Sequence, residues 1–258
     1  NYSPLRSPYN AWVDCIVSNK DPLELIKLYD LTKNEDLSGE GVKIAVIDTG
    51  IDASIPNLNV VGGYDFVDEY QIDEDNPSID KNGHGTFVAG IIQQVAIGAS
   101  ILSYRVTETA EKGDPYLTSE ALKKAARDGV NIINLSIAMD VHAPENPFIE
   151  IINEVVHQGI VVVTGAGNAG PNLWTVLSPG TSPNVITVGA ATLEKQIWDM
   201  GSRGPVMGTW AIKPDLVAPG KDIYSWISGN RQGCASGTSY ATPFVTGATA
   251  LIKERYPT

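Results

Sequence analysis

The stretch that decides the fold is residues 42–50, VKIAVIDTG. Its nearly continuous run of β-branched and apolar residues is typical of a strand that is buried on both faces, as in a parallel sheet. The run ends in Asp48-Thr49-Gly50, where a turn begins. Functional groups of open parallel sheets gather beyond the carboxyl ends of the strands, so Asp48 is the first candidate functional residue. Taken alone, it fits an aspartate that caps a turn equally well.

Strand-like and helix-like segments alternate along the rest of the chain. Strands are predicted at residues 101–106, 130–135, 160–163 and 185–188, and helices at residues 23–28, 118–126, 147–157 and 239–255. Strand, helix and strand in repetition indicate βαβ units. The sequence therefore predicts a three-layer α/β fold, with a mainly parallel central β-sheet and helices on both faces. We expect residues 1–40 to form an N-terminal arm and residues 41–258 a single domain.

Composition narrows the functional classes. The net charge of −12 disfavours binding to nucleic acid or to an anionic membrane surface. No apolar run reaches the roughly 18 residues of a membrane-spanning helix. The N-terminus lacks the pattern of a signal peptide, which is therefore absent or already removed. Two cysteines, Cys15 and Cys234, are too few for a disulfide framework and are interpreted as unpaired structural thiols.

His84 and Ser239 join Asp48 as candidates. His84 lies in NGHGT (residues 82–86) at the start of an apolar helical run, and Ser239 lies in GTSYATP (residues 237–243), where a turn enters a long helix. A serine at a helix start is most often only a cap. The three residues together supply what nucleophilic acyl transfer requires: a carboxylate that orients an imidazole, a base that titrates near neutral pH, and a hydroxyl that this base activates.

Asn168 is the fourth candidate. It lies in GAGNAG (residues 165–170), which has the G-x-G-x-x-G spacing of a dinucleotide-binding turn. That turn must open a helix, and the following residues 171–174, PNLW, do not look like a helix start. An asparagine amide on such a turn can instead donate a hydrogen bond to an oxyanion. A nucleotide-binding protein of the same fold class is therefore the less favoured alternative.

With these motifs in place, the chain resembles the subtilase family of serine proteases over residues 41–256. The matching segments are AVIDTGID (residues 45–52), HGTFVAG (84–90), AGN (166–168), PDLVAPG (214–220) and GTSYATP (237–243). The resemblance implies a serine endopeptidase that needs no cofactor and hydrolyses peptide bonds through an acyl-enzyme on Ser239. It further implies that His84 is the general base, Asp48 the orienting carboxylate and Asn168 an oxyanion-hole donor. The alternative is a pseudoprotease that uses the same fold for binding or regulation.

The family's usual biology adds further expectations. Its members act on peptides or proteins, and they are commonly made with an inhibitory pro-segment and secreted, so we expect the same of this chain. The chain stops at Thr258, about one helix and one strand short of the usual domain. We therefore expect a longer precursor or a separate C-terminal segment.

Calcium is a further expectation that comes from the resemblance. Many members carry a calcium-binding loop inside the helix after the catalytic histidine, but here residues 89–94 run almost directly into residues 95–99. Some members bind calcium in a stretch equivalent to the acidic residues 65–80. A solvated acidic loop is the favoured interpretation of this stretch, and Asp65 and Asp68 are the candidate ligands for the alternative, a calcium site.

The resemblance also locates a substrate groove. In the family an extended peptide pairs with a strand, which here corresponds to Ser136, Ile137, Ala138 and Met139. Gly167 and Leu177 are expected to line the pocket for the residue before the scissile bond (P1). The family usually has glycine where Ala138, Met139 and Leu177 stand, so we expect a smaller pocket and a preference for a small P1 residue.

Overall fold

A computed structural model describes residues 20–110, 113–138 and 147–257. Its centre is an eight-stranded sheet with the strand order β3-β2-β4-β1-β5-β6-β7-β8. All neighbouring strands are parallel except β2 and β3, which are antiparallel. A separate antiparallel hairpin is formed by β9 and β10. The α/β fold with a mainly parallel sheet that the sequence predicts is therefore confirmed.

The strands of the central sheet are β1 (Lys43–Asp48), β2 (Val60–Asp65), β3 (Tyr70–Ile72), β4 (Ser100–Arg105), β5 (Ile132–Leu135), β6 (Val161–Gly165), β7 (Ile186–Ala191) and β8 (Leu216–Pro219). The hairpin consists of β9 (Ile223–Ile227) and β10 (Arg231–Ala235). The helices are α1 (Pro22–Leu25), α2 (Leu28–Glu35), α3 (His84–Val95), α4 (Pro115–Arg127), α5 (Pro147–His157) and α6 (Thr238–Arg255).

Each face of the sheet carries its own hydrophobic core. On β1, Ile44 and Val46 belong to the core that includes α3 and α6, whereas Ala45 and Ile47 belong to the core that includes α4 and α5. Side chains of a strand point alternately to opposite faces, so a strand between two helical layers must be apolar throughout. This explains why residues 44–47 have no polar alternation, and it places helices on both sides of the sheet.

Several predicted element boundaries were wrong. The fourth helix begins at Pro115 and not at Thr118, because the carboxylate of Asp114 accepts hydrogen bonds from the amides of Tyr116 and Leu117 (2.8 and 3.1 Å). The single helix predicted at residues 23–28 is two helices, α1 and α2. Lys27 interrupts them in a left-handed conformation, with φ of 60°.

The first two helices pack onto the core on the α3 side. Leu28 is buried, and Leu23, Leu25, Ile26 and Leu37 contact the same cluster. The predicted N-terminal arm thus includes ordered helices in its described part, residues 20–40. Residues 1–19 lie outside the described residues.

Cys234 is disulfide-bonded, so the prediction of an unpaired thiol at this position is wrong. Its side chain is buried, as a structural cysteine would be. The sequence contains one other cysteine, Cys15, which lies outside the described residues. Among the helices that the structure describes, none is both long and apolar enough to cross a membrane.

Close packing of α6 against α3 depends on Gly247. A Cβ atom at this position would lie 2.6 Å from Cβ and 2.8 Å from Cγ1 of Val95. Neither atom is the end of a flexible side chain, so the helices would have to move apart. The two helices can therefore approach this closely only because residue 247 has no side chain.

We predict that Gly247→Ala destabilises the fold by about 1–3 kcal/mol, because overpacking outweighs the gain of about 0.5–1 kcal/mol in helix propensity. Thermal unfolding monitored by circular dichroism measures the change. The control is Thr249→Ala on the same helix, whose partly buried hydroxyl donates a hydrogen bond to the carbonyl oxygen of Val245. Equal or higher stability of Gly247→Ala would contradict the packing argument.

Candidate active site

Asp48 and His84 form a buried hydrogen-bonded pair. Asp48 is the last residue of β1 and His84 the first residue of α3, and the distance from Asp48 Oδ1 to His84 Nδ1 is 2.7 Å. Both side chains are almost completely buried. Because Nδ1 faces the carboxylate, Nε2 is the ring nitrogen left to exchange a proton with another group.

The environment of His84 favours the protonated imidazole. Burial by itself lowers the pKa of His84, but the negative charge of Asp48 and its hydrogen bond raise it, as does the charge of Asp80. The net result is a pKa above the ordinary value of histidine. A base in this environment holds an abstracted proton more firmly than a free imidazole does.

Ser239 lies at the start of α6, next to the end of β5. Its hydroxyl donates a hydrogen bond to the carbonyl oxygen of Ser136 (2.9 Å), and the Ser136 hydroxyl donates to the carbonyl oxygen of Ser239 (3.0 Å). Within the described residues, Ser239 has no hydrogen bond to His84. The hydroxyl would have to rotate away from Ser136 to reach the imidazole.

The second of these hydrogen bonds compensates for a proline. Pro243 is the sixth residue of α6 and lies inside the helix, beyond its first turn. A proline there cannot donate to the carbonyl four residues earlier, which belongs to Ser239. The Ser136 hydroxyl takes the place of the missing donor and joins the start of α6 to the sheet.

Asn168 lies beside the start of α6. Its side-chain oxygen accepts hydrogen bonds from the amide (2.9 Å) and the hydroxyl (3.1 Å) of Thr238. Among the described residues, the NH2 group of Asn168 has no hydrogen-bond partner, and Nδ2 lies 3.5 Å from the position that a Cβ of Gly237 would occupy. The donors of this amide therefore lie near Gly237, two residues before Ser239 in the chain. No helix follows the turn at residues 165–170, as expected for a site that is not a dinucleotide-binding turn.

The predicted groove residues are only partly assembled in the described structure. Ser136 contacts Ser239 as described above, Ile137 is buried and Ala138 is half-buried. Met139 lies outside the described residues. Leu177 packs directly on Gly167: its Cδ1 and Cγ atoms lie 2.8 and 2.9 Å from the position of a Cβ at residue 167. An apolar side chain thus fills space beside the turn that carries Asn168.

Asp65 and Asp68, the candidate calcium ligands, bind an arginine. Asp65 Oδ2 and Asp68 Oδ2 lie 2.9 and 2.7 Å from Nη1 of Arg105, whose side chain is buried. No group of three or more His, Cys, Asp or Glu residues in the described ranges is placed to hold a metal ion. The pair does not fit the expected calcium site, because the guanidinium of Arg105 already occupies an oxygen of each carboxylate and offsets one of their two negative charges.

Three residues near the site were missed by sequence analysis. Thr238 orients Asn168, Asp80 contributes charge next to His84, and the ring of Tyr240 lies between those of His84 and Phe87, with centroid distances of 5.5 and 4.7 Å. Thr238 and Tyr240 flank Ser239 in the sequence. Their adjacency to Ser239 was the signal that could have identified them.

The sequence of this chain matches a known protein family. A family model described as "Subtilase family" matches residues 39–258, which is most of the chain. The chain belongs to the subtilase family. The resemblance predicted from the sequence motifs is thereby confirmed.

Curated relatives in the subtilase family include serine proteinases of bacilli. The thermophilic serine proteinase of Bacillus sp. (strain AK1) is 38% identical over 241 residues, which cover 88% of this chain and 55% of the relative. Subtilisin E of Bacillus subtilis (strain 168) is 35% identical over 236 residues, covering 87% of this chain and 58% of the relative. The chain therefore spans little more than half the length of these two relatives.

Solved structures of other proteins share the fold. Sphericase has a TM-score of 0.76 and 29% identity, with coverage of 90% of this chain and 84% of sphericase. The CspB protease of Clostridium perfringens has a higher TM-score, 0.83, at 19% identity, with coverage of 91% and 88%. The second likeness concerns the fold alone.

We predict that His84 titrates above about 6.5, the ordinary pKa of histidine, because the charge and hydrogen bond of Asp48 and the charge of Asp80 together outweigh burial. NMR of ring-labelled histidine over a pH series measures it, with His84→Gln used to assign the signal. In Asp48→Asn the opposing charge is lost and burial dominates, so the pKa of His84 should fall. A midpoint at or below 6.5 in the native chain would contradict this account.

Proposed function

We propose that the protein is a serine endopeptidase that hydrolyses peptide bonds through an acyl-enzyme on Ser239. The observation that carries the proposal is the buried Asp48–His84 pair at the same end of the sheet as Ser239 and the free amide group of Asn168. Membership of the subtilase family supports the same activity. Neither a metal nor an organic cofactor takes part in the proposed reaction.

Acylation begins with the attack of Ser239 Oγ on the carbonyl carbon of the scissile peptide bond. The hydroxyl proton passes to Nε2 of His84, and Asp48 stabilises the imidazolium through Nδ1. The carbonyl oxygen becomes an oxyanion, to which Nδ2 of Asn168 donates a hydrogen bond. When the tetrahedral intermediate collapses, the C–N bond breaks and the amine leaves with the proton from His84.

Deacylation repeats these steps with water in place of Ser239. His84 takes a proton from the water, whose oxygen attacks the ester carbonyl, and the proton then returns to Ser239 Oγ as the carboxylic acid departs. To enter this cycle, the Ser239 hydroxyl must first release the carbonyl of Ser136. A neutral hydrogen bond contributes only about 0.5–1.5 kcal/mol net, so the free-energy cost of breaking it is small compared with the activation barrier to peptide hydrolysis.

We further propose a P1 pocket that prefers small side chains. The support is the position of Leu177, whose side chain packs on Gly167 beside the turn of Asn168. Ser136, Ile137, Ala138 and Met139 would pair with the peptide on the other side of this pocket. A large aromatic side chain at P1 would meet Leu177, whereas alanine would not.

The proposed setting of the reaction is extracytoplasmic. The support is the disulfide bond of Cys234, because disulfides persist in oxidising compartments and are rare in the cytosol of most organisms. We also propose that residues 41–258 form the peptidase domain and residues 1–40 an arm that packs on it. Peptides or proteins are the proposed substrates.

We predict that a serine-directed fluorophosphonate forms one adduct with the native chain, because an activated Ser239 Oγ displaces fluoride from phosphorus. Intact mass spectrometry measures the adduct. Ser239→Ala should give none, and Ser236→Ala, which removes a neighbouring hydroxyl, should label like the native chain. An unlabelled but folded native chain would contradict the proposed activity and favour the pseudoprotease.

We predict that peptides with alanine at P1 are cleaved with a higher kcat/KM than matched peptides with phenylalanine. Leu177→Ala should shift this ratio towards phenylalanine by about tenfold or more, since pocket volume decides which side chain enters. Leu173→Ala, a change at an exposed leucine of the same loop, should leave the ratio unchanged. Faster cleavage after phenylalanine by the native chain would refute the pocket assignment.

A further inference from the structure

Asp80 is a buried carboxylate just before α3, and both of its oxygens are fully engaged. Oδ1 accepts hydrogen bonds from the amides of Asn82 (2.9 Å) and Gly83 (2.8 Å) and from the hydroxyl of Thr49 (3.0 Å). Oδ2 accepts from the amide (3.0 Å) and the hydroxyl (2.6 Å) of Thr86. All five partners are donors, so the ionised carboxylate is the form that the site fits.

These contacts hold the helix that carries His84. The N-cap residue of α3 is Gly83, which has no side chain to cap the first turn. Unpaired amides at a buried helix start are costly, and Asp80 supplies acceptors from three residues upstream. Because Gly83 and Thr86 lie on either side of His84, Asp80 fixes the backbone from which the imidazole extends.

The same carboxylate is connected to the strand that carries Asp48. Thr49 follows Asp48 directly, and its hydroxyl donates to Asp80 while accepting a hydrogen bond from the amide of Gly85 (3.0 Å). Gly85 lies so close to this strand end that a Cβ there would be 2.1 Å from the carbonyl oxygen of Gly50. Asp80 and Thr49 therefore set the spacing between Asp48 and His84.

Among the described residues, few charged or titratable groups lie near Asp80 and His84. His84 is faced by Asp48 from β1, by Asp80 from the preceding loop and by the phenol of Tyr240 from α6. Lys81, next to Asp80, is exposed and lies 3.9 Å from Asp68, and the Asp52 carboxylate accepts from the amide of Gly229.

Ionisation of Asp80 is opposed by its surroundings. Burial raises the pKa of Asp80, hydrogen bonds from Gly83 and Thr86 lower it, and the charge of Asp48 raises it, with a raised pKa as the net result. The hydrogen bonds therefore favour the ionised carboxylate of Asp80, whereas burial and the charge of Asp48 oppose its ionisation.

We propose that Asp80 is a positioning residue for the reaction proposed above: it acts through Thr49, Gly83 and Thr86 to set the position of His84 against Asp48, and its charge favours the imidazolium. It does not touch the reacting atoms. The inference rests on the proposed peptidase function, but the effect of Asp80 on His84 can be measured without catalysis.

The test is Asp80→Asn, which is similar in size but neutral and cannot accept hydrogen bonds at both side-chain atoms. The pH titration of His84, followed by NMR, should move to a lower pKa than in the native chain. With a peptide substrate, kcat should fall about 10- to 100-fold with little change in KM, because a small misplacement of a catalytic group has an effect of this size.

The matched control is Asp73→Asn. Asp73 is exposed, and its carboxylate accepts hydrogen bonds from the amides of Asp75 (3.0 Å) and Asn76 (2.9 Å) in a loop away from α3. This variant should leave both the His84 titration and kcat unchanged. If Asp80→Asn fails to fold, Thr49→Val and Thr49→Ser replace it: the first removes the hydroxyl link and should lower kcat, and the second keeps the link and should not.

An unchanged His84 titration with unchanged kcat in Asp80→Asn would overturn the proposal. So would a loss of activity that thermal unfolding explains by the unfolded fraction alone. A native chain that hydrolyses no peptide would count against the proposed function, and the His84 titration would still decide whether Asp80 acts on the imidazole.

Discussion

The hydrogen bond between Thr246 of α6 and Asn134 of β5 fixes where the start of α6 lies. The Thr246 hydroxyl donates to the side-chain oxygen of Asn134 (2.7 Å), and both side chains are completely buried. The amide group of Asn134 donates to the Ser136 hydroxyl (2.9 Å), which in turn donates to the carbonyl of Ser239. An unpaired buried polar group costs about 1–3 kcal/mol, so sliding α6 along the sheet would break several costly pairings at once. The nucleophile candidate is thus located by contacts far from its own hydroxyl.

This arrangement makes the backbone of Ser239 rigid and leaves its side chain free to turn. Pro243 removes one intrahelical hydrogen bond, and the freed carbonyl of Ser239 is held by Ser136 from the sheet. The Ser239 hydroxyl donates to the carbonyl oxygen of the same Ser136. A nucleophile whose backbone is held in place suits the proposed catalysis, because the reacting group is positioned before the substrate binds.

The parts that sequence analysis predicted are those encoded by neighbouring residues. Continuous β-branched runs predicted β1 and β5. Asp48 was identified because functional groups gather beyond the carboxyl ends of parallel strands. The contacts that sequence analysis missed join residues that are distant in the chain. The hydrogen bond between Asn168 and Thr238 spans 70 positions, and the one between Thr49 and Asp80 spans 31. Strands β2, β3, β8, β9 and β10 were missed; of these, β9 alternates in burial over only five residues, and β8 is exposed at its start.

The two candidate calcium ligands, Asp65 and Asp68, are already paired with a buried arginine that lies next to Asp48 in the sheet. The ends of β2, β4 and β1 place Asp65, Arg105 and Asp48 side by side in register. The guanidinium of Arg105 binds Asp65 and Asp68. One positive charge from outside residues 65–80 therefore offsets part of the negative charge at the start of this stretch. Breaking a buried pair costs about 3–5 kcal/mol, because one charge is left without its partner. Arg105 thus pairs with Asp65 and Asp68, whereas the carboxylate of Asp48 at the end of β1 pairs with His84.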